Sequence, residues 1–173
     1  MPEGASRMTV SRPDFREAMA RLGAAVSLIT SDGPGGRAGL TASAVCSVTD
    51  DPATLLVCIN RNSGQNAAIK GNGVLCVNVL SAGQQELSNV FAGFTGATTA
   101  EQRFAHGDWT ALETGAPVLA DAAVSMDCVI DEVLEKGTHS VFFASIRAIR
   151  FGAPGPALIW WQRDYHHLGH PVA

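Results

Sequence analysis

The chain has 173 residues, a length that suits one domain and allows roughly two-thirds of the unfolded surface to be buried. Hydrophobic residues make up 46% and charged residues 16%, which excludes a disordered chain and leaves room for a subunit interface. The formal charge is −4 and Lys70 and Lys136 are the only lysines, so no basic field gathers nucleic acid or anionic lipid; no apolar run reaches membrane-spanning length, and a cytoplasmic protein is expected.

Met1 to Val10 read as a flexible N-terminus and residues 11–168 as a single domain. Ser11 and Pro13 precede Phe15, Ala18, Met19 and Leu22, an i, i+3, i+4, i+7 stripe closed by Gly23; this predicts a capped helix packing on a flat surface. Strands are predicted over Ala25 to Thr30, Leu40 to Val48, Thr54 to Asn60 and Val74 to Leu80, with turns at Asp32-Gly33-Pro34, Asp50-Asp51-Pro52 and Gly71-Asn72-Gly73. A helix over Gln84 to Phe91, apolar at Leu87, Val90 and Phe91, leads into a Gly/Thr-rich connection from Gly93 to Thr99 that would cross the barrel end. Strands then return over Ala122 to Leu134, His139 to Phe151 and Ala157 to Arg163. About seven antiparallel strands with few helices predict a mainly β fold, a small β-barrel with peripheral helices.

Several motifs fail on context. Gly33-Pro34-Gly35-Gly36-Arg37-Ala38 spells the dinucleotide fingerprint, but a strand rather than a helix follows, so it reads as a hairpin loop. Cys46, Cys58, Cys76 and Cys128 are widely spaced in apolar stretches and read as buried thiols. His166, His167 and His170 lack a carboxylate or cysteine to complete a metal site and read as a frayed polar tail; no metal is expected.

Three polar clusters remain. Thr41-Ala42-Ser43-Ala44, with Ser47 beyond, offers small residues that let a flat ligand reach backbone amides, the alternative being ordinary strand packing. Asn60-Arg61-Asn62-Ser63-Gly64-Gln65-Asn66 leaves a strand and enters a short helix ending at Lys70. There Ser63, Asn66, free N–H groups and Arg61 or Lys70 would hold a phosphate, the alternative being a Ser63 cap that binds nothing. Gly137-Thr138-His139 and Arg163-Asp164-Tyr165-His166 stand at strand ends, where a lone histidine is more often structural.

Phe15-Arg16-Glu17-Ala18-Met19, Gly39 to Asp50 with its T-A-S-A-V-C-S-V block, Leu56-Val57-Cys58-Ile59-Asn60, Leu75 to Leu80, Phe91-Ala92-Gly93 and Gly137-Thr138-His139 together resemble a known family. It is that of the small flavin reductases serving two-component aromatic monooxygenases, typified by the 4-hydroxyphenylacetate 3-monooxygenase reductase component. The resemblance implies a split β-barrel homodimer that uses NADH to reduce FAD or FMN and passes diffusible reduced flavin to an oxygenase, with FAD favoured by family habit. It implies that Thr41, Ala42, Ser43, Ala44, Ser47 and Val48 line the isoalloxazine and ribityl chain, and that Asn60, Ser63, Asn66 and Ala67 hold the phosphate end. His139 would position the nicotinamide, with Tyr165 near the stacked rings. The chain departs from the family pattern at Asp51-Pro52-Ala53, at Ala144 and at Trp160-Trp161. Two other activities stay open: a flavin carrier or sensor without reductase activity, and a flavoenzyme with tightly held FMN. The oxygenase's substrate, whether a phenol, a chlorophenol or a pyrimidine, is not legible, nor is a choice between NADH and NADPH.

Overall fold

A computed structural model describes residues 10–169. Helix α1 (Arg12–Ala20) starts at Ser11, whose hydroxyl accepts from the Asp14 amide at 3.1 Å, with Pro13 in its first turn. The chain then forms β1 (Ala24–Ala25), β2 (Ser27–Ser31), β3 (Ala38–Ala42), β4 (Val45–Asp50) and β5 (Ala53–Asn60). Helix α2 (Gly64–Asn72) leads to β6 (Val74–Val79), and a 3-10 turn at Ala82–Gln84 to α3 (Gln85–Ala92) and α4 (Ala100–Phe104). Short strands β7 (Trp109–Thr110) and β8 (Val118–Leu119) precede β9 (Val124–Lys136), β10 (His139–Phe151), β11 (Ala157–Trp161) and β12 (Asp164–Leu168).

Seven strands make one antiparallel sheet in the order β3-β2-β6-β9-β10-β5-β4. Leu55, Val57 and Ile59 of β5, Leu75 and Val77 of β6, and Phe142 and Ala144 of β10 alternate onto one face and bury there, with Ile69 of α2 joining them. The outermost strands, β3 and β4, are consecutive in the chain. Ala42 and Val45 are three Cα steps apart, so the two sheet edges approach within about 11 Å. The sheet therefore curls toward a barrel, but no ladder joins β3 to β4 among the described residues, and the closed barrel expected from the sequence is an open, covalently bridged one. The predicted continuous strand from Leu40 to Val48 is accordingly two strands, interrupted at Ser43 and Ala44.

A smaller sheet, β1-β11-β12, adjoins the large one at Val26, whose amide donates to Leu158 and whose carbonyl accepts from Leu80. Two further expectations change. Among the described residues the α1 stripe meets no flat surface, and Phe15, Met19 and Leu22 stay exposed. His166 and His167 pair with Ile159 and Leu158 in β12 rather than fraying, while His170 and residues 1–9 lie outside the described residues.

Helices α3 and α4 cover the β3 side of the sheet, burying Val90, Phe91 and Phe104. Gly39 is their meeting point. A Cβ there would lie 2.5 Å from the Phe91 ring and 3.0 Å from the Phe104 ring, so glycine alone fits. The Gly33–Gly36 segment is the β2–β3 hairpin loop, held to α2 by Asn72, which accepts from the Gly35 amide at 2.7 Å and donates to the Gly36 carbonyl at 2.9 Å.

Candidate functional site

The break between the two edge strands creates the site. Ser43 and Ala44 lie outside both strands, and among the described residues no hydrogen bond from their amide N–H groups is found. Thr41, one turn of the pleat earlier, donates its hydroxyl to the Ser88 carbonyl at 2.7 Å, which fastens β3 to α3. Ser88 is fully buried, and its own hydroxyl lies 2.9 Å from the Tyr165 hydroxyl; the Asn89 side-chain oxygen Oδ1 accepts from Tyr165 at 3.1 Å. Because an amide oxygen only accepts, the single Tyr165 proton goes to Asn89 and the Ser88 proton to Tyr165. Tyr165 thus has no proton left for a ligand, and its ring is fixed edge-to-face against Trp160, centroids 4.9 Å apart.

Thr41, Ala42, Ser43 and Tyr165 line one open cavity of about 150 Å³ together with Val26, Ala92, Phe94 and Trp160. The last four were not among the expected site residues. Ala92 stands inside the Phe91-Ala92-Gly93 block of the family resemblance and Trp160 stands out as a departure from the pattern, whereas Val26 and Phe94 owe their place to packing between distant segments.

The second cluster forms elsewhere. Asn60 ends β5 and is the direct cross-strand partner of His139, so these two exposed residues meet beside the Ser63 cap of α2. The His139 ring bonds Thr138 through Nδ1 at 2.9 Å, and neither it nor Asn60 lines the Tyr165 cavity within one chain. Ala67 is exposed on α2. Asn66, expected at the phosphate end, is 3% exposed, and its amide nitrogen donates to the Ile59 carbonyl at 3.2 Å and to Ser140 at 3.1 Å, which uses both its protons internally. Arg61 and Lys70 also face an internal anion, since Glu135 pairs with Arg61 at 3.0 Å and with Lys70 through its other oxygen. Lys70 first, helped by the Ser140 hydroxyl and Arg61, holds the Glu135 carboxyl below the usual range. Ser47 and Val48 lie on exposed β4; Ser47 borders a separate groove with Met126 and Ile146.

The cysteines divide. Cys76 and Cys128 are buried, and burial pushes the Cys128 thiol up to about 12 and Cys76 higher still. Cys46 is exposed on the β4 edge and Cys58 half-buried, contrary to the expectation of four buried thiols, because their stretch of sheet faces outward.

The flavin reductase-like domain model matches residues 19–169, nearly the whole described chain. The chain belongs to the flavin reductase-like family. Among this family's members, the chain is 52% identical over 171 residues to the FMN reductase (NADH) RutF of Variovorax paradoxus, covering 99% of this chain and 93% of that protein. A solved structure from Haemophilus somnus, assigned as a flavin reductase, superposes with a TM-score of 0.87 at 44% identity, covering 92% of this chain and all of the other. BorF, the flavin reductase component of a bacterial two-component tryptophan halogenase, shares the fold at 22% identity with a TM-score of 0.85, covering 93% and 100%. The flavin such a family member uses fits the residues present. Small side chains at Ala42 and Ser43 admit a flat ring, the Ser43 and Ala44 amides are available to its heteroatoms, and Val26, Ala92 and Trp160 supply apolar walls.

Proposed function

We propose that this protein is an NADH:FMN oxidoreductase that binds flavin at the β3–β4 break and releases it reduced to a flavin-dependent oxygenase. One observation carries the reading: a small-residue edge, Thr41 to Ser43, continued by the available amides of Ser43 and Ala44, shares a cavity with an aromatic pair whose hydroxyl is locked. Such a slot positions flat rings and offers no acid or base. Bound there, flavin supplies the hydride-accepting chemistry, which needs ring stacking at about 3–3.5 Å and no protein proton donor.

FMN is preferred over the FAD of the sequence expectation, on the strength of the Variovorax relative's name. Thr41, Ala42, Ser43 and Ala44 bind the ring; Asn60, Ser63 and His139, adjacent at the end of β5, form a polar site for the remaining groups of the two cofactors. Ser47 and Val48 extend this ligand surface along β4. A cavity near 150 Å³ is smaller than the roughly 300–1,000 Å³ of a complete small-molecule site, so a second copy completes it and the working form is a homodimer. The protein works in the cytoplasm with the NADH pool, and an aromatic-compound monooxygenase is the acceptor to try first.

Steady-state NADH oxidation by the purified protein, with FMN, FAD or no flavin added, tests this. Oxidation that requires added flavin and saturates at lower FMN than FAD is expected. Flavin binding without NADH or NADPH oxidation would instead make the protein a carrier or sensor.

A further inference from the structure

We propose that Phe94 is a ring-binding residue whose side chain forms the outer wall of the slot and takes one face of a flat conjugated ring. This rests on the reductase reading of the same cavity. Helix α3 ends with the Gly93 amide donating to the Val90 carbonyl at 3.2 Å and the Phe94 amide donating to the Asn89 carbonyl at 3.0 Å, Gly93 being left-handed at φ +83°. In this helix ending the residue after the glycine ordinarily packs back on an apolar side chain in the last turns of the helix. Here the positions that would receive it are Ser88 and Asn89, and both are engaged with the Tyr165 hydroxyl.

Phe94 is therefore left without an apolar partner on its own helix and remains 74% exposed. A single exposed apolar side chain on a convex surface is unremarkable. Phe94 instead lines the same cavity as Ala92, Trp160, Tyr165 and the Thr41–Ser43 edge, and its backbone is fixed by the helix ending. A rigid stem carrying an unpacked aromatic ring at a concave site already walled by an aromatic pair suits an offset-stacked or edge-to-face contact with a planar ligand. Ser88 and Asn89 act through other residues: they hold Tyr165 and leave Phe94 free, so they are positioning residues.

The test uses the full chain with Phe94→Ala and Phe94→Tyr. Flavin affinity is read by fluorescence titration with FMN in the absence of nicotinamide, and KM for NADH is read at saturating FMN. Phe94→Ala is expected to weaken one of these roughly tenfold while Phe94→Tyr preserves it. Loss in the titration assigns the contact to flavin, and loss confined to KM for NADH assigns it to the nicotinamide. Phe94→Ala values within about twofold of the parent in both would overturn the proposal, given the size of an ordinary aromatic contact. So would a shift from dimer to monomer with ring affinity unchanged. If the parent binds flavin but oxidises no NADH, the reductase reading fails and the titration still decides Phe94.

Discussion

Ser88 holds two walls of the cavity at once, its carbonyl receiving Thr41 and its hydroxyl donating to Tyr165. The fixed direction of these protons makes Tyr165 a wall and not an acid. Tyr165→Phe is therefore expected to raise the KM values a few-fold, by loosening the slot, and to leave the pH dependence of kcat unchanged; a lost ionisation in that profile would contradict the assignment. At Gly39 the neighbours of an added methyl are the buried Phe91 and Phe104 rings, which have nowhere to move. Gly39→Ala should lower unfolding free energy by about 1–3 kcal/mol in urea titration. The thiols give a third check: in the folded protein one cysteine, Cys46, should react rapidly with a maleimide, while Cys76 and Cys128, buried and held as neutral thiols, react only on unfolding.

At the level of elements, β5 was readable because its apolar residues alternate onto one buried face, and β6 because it is a short, nearly continuous apolar run that is buried on both faces. The break in T-A-S-A-V-C-S-V was not, because the stretch holds no Gly, Pro, Asn or Asp and Ser43 is only a weak turn signal. What divides it is tertiary: the chain must pass from one edge of the curled sheet to the other. Strand β12 was missed for a different reason. Its hairpin with β11 turns on Gln162 and Arg163, both left-handed at φ +52° and +64°, where sequence signals look for Asn or Gly. Gln162→Asn is accordingly expected to raise stability by about 0.5–1 kcal/mol, measured by thermal unfolding, since asparagine tolerates that conformation better. Of the expected site residues, the Thr41–Ser43 segment and Tyr165 converge on one cavity. Asn66 is turned inward, its amide tying α2 to β5 and β10, an arrangement no local pattern announces.

For the whole molecule, the exposed stripe Phe15, Met19 and Leu22, the edges of β3 and β4, unpaired among the described residues, and a cavity smaller than its proposed ligands together favour a second copy. Two surface carboxyls contribute to the acid limb of stability. Glu135 is held down by Lys70 and Glu17 by Arg163, so each contributes stability above the ordinary carboxylate range that is lost as pH falls through its lowered folded value. Both pairs are exposed and the effect is small; Glu135→Gln should slightly flatten the acid limb of a stability-versus-pH curve. Central to the proposed reaction is a slot that brings NADH and flavin face to face. Anaerobic mixing of the protein with FMN and NADH, followed in the NADH and oxidised-flavin absorbance bands together, tests it most directly. Simultaneous, equimolar loss of both bands, accelerated in proportion to protein, is predicted; flavin that binds yet keeps its oxidised absorbance in excess NADH would contradict it.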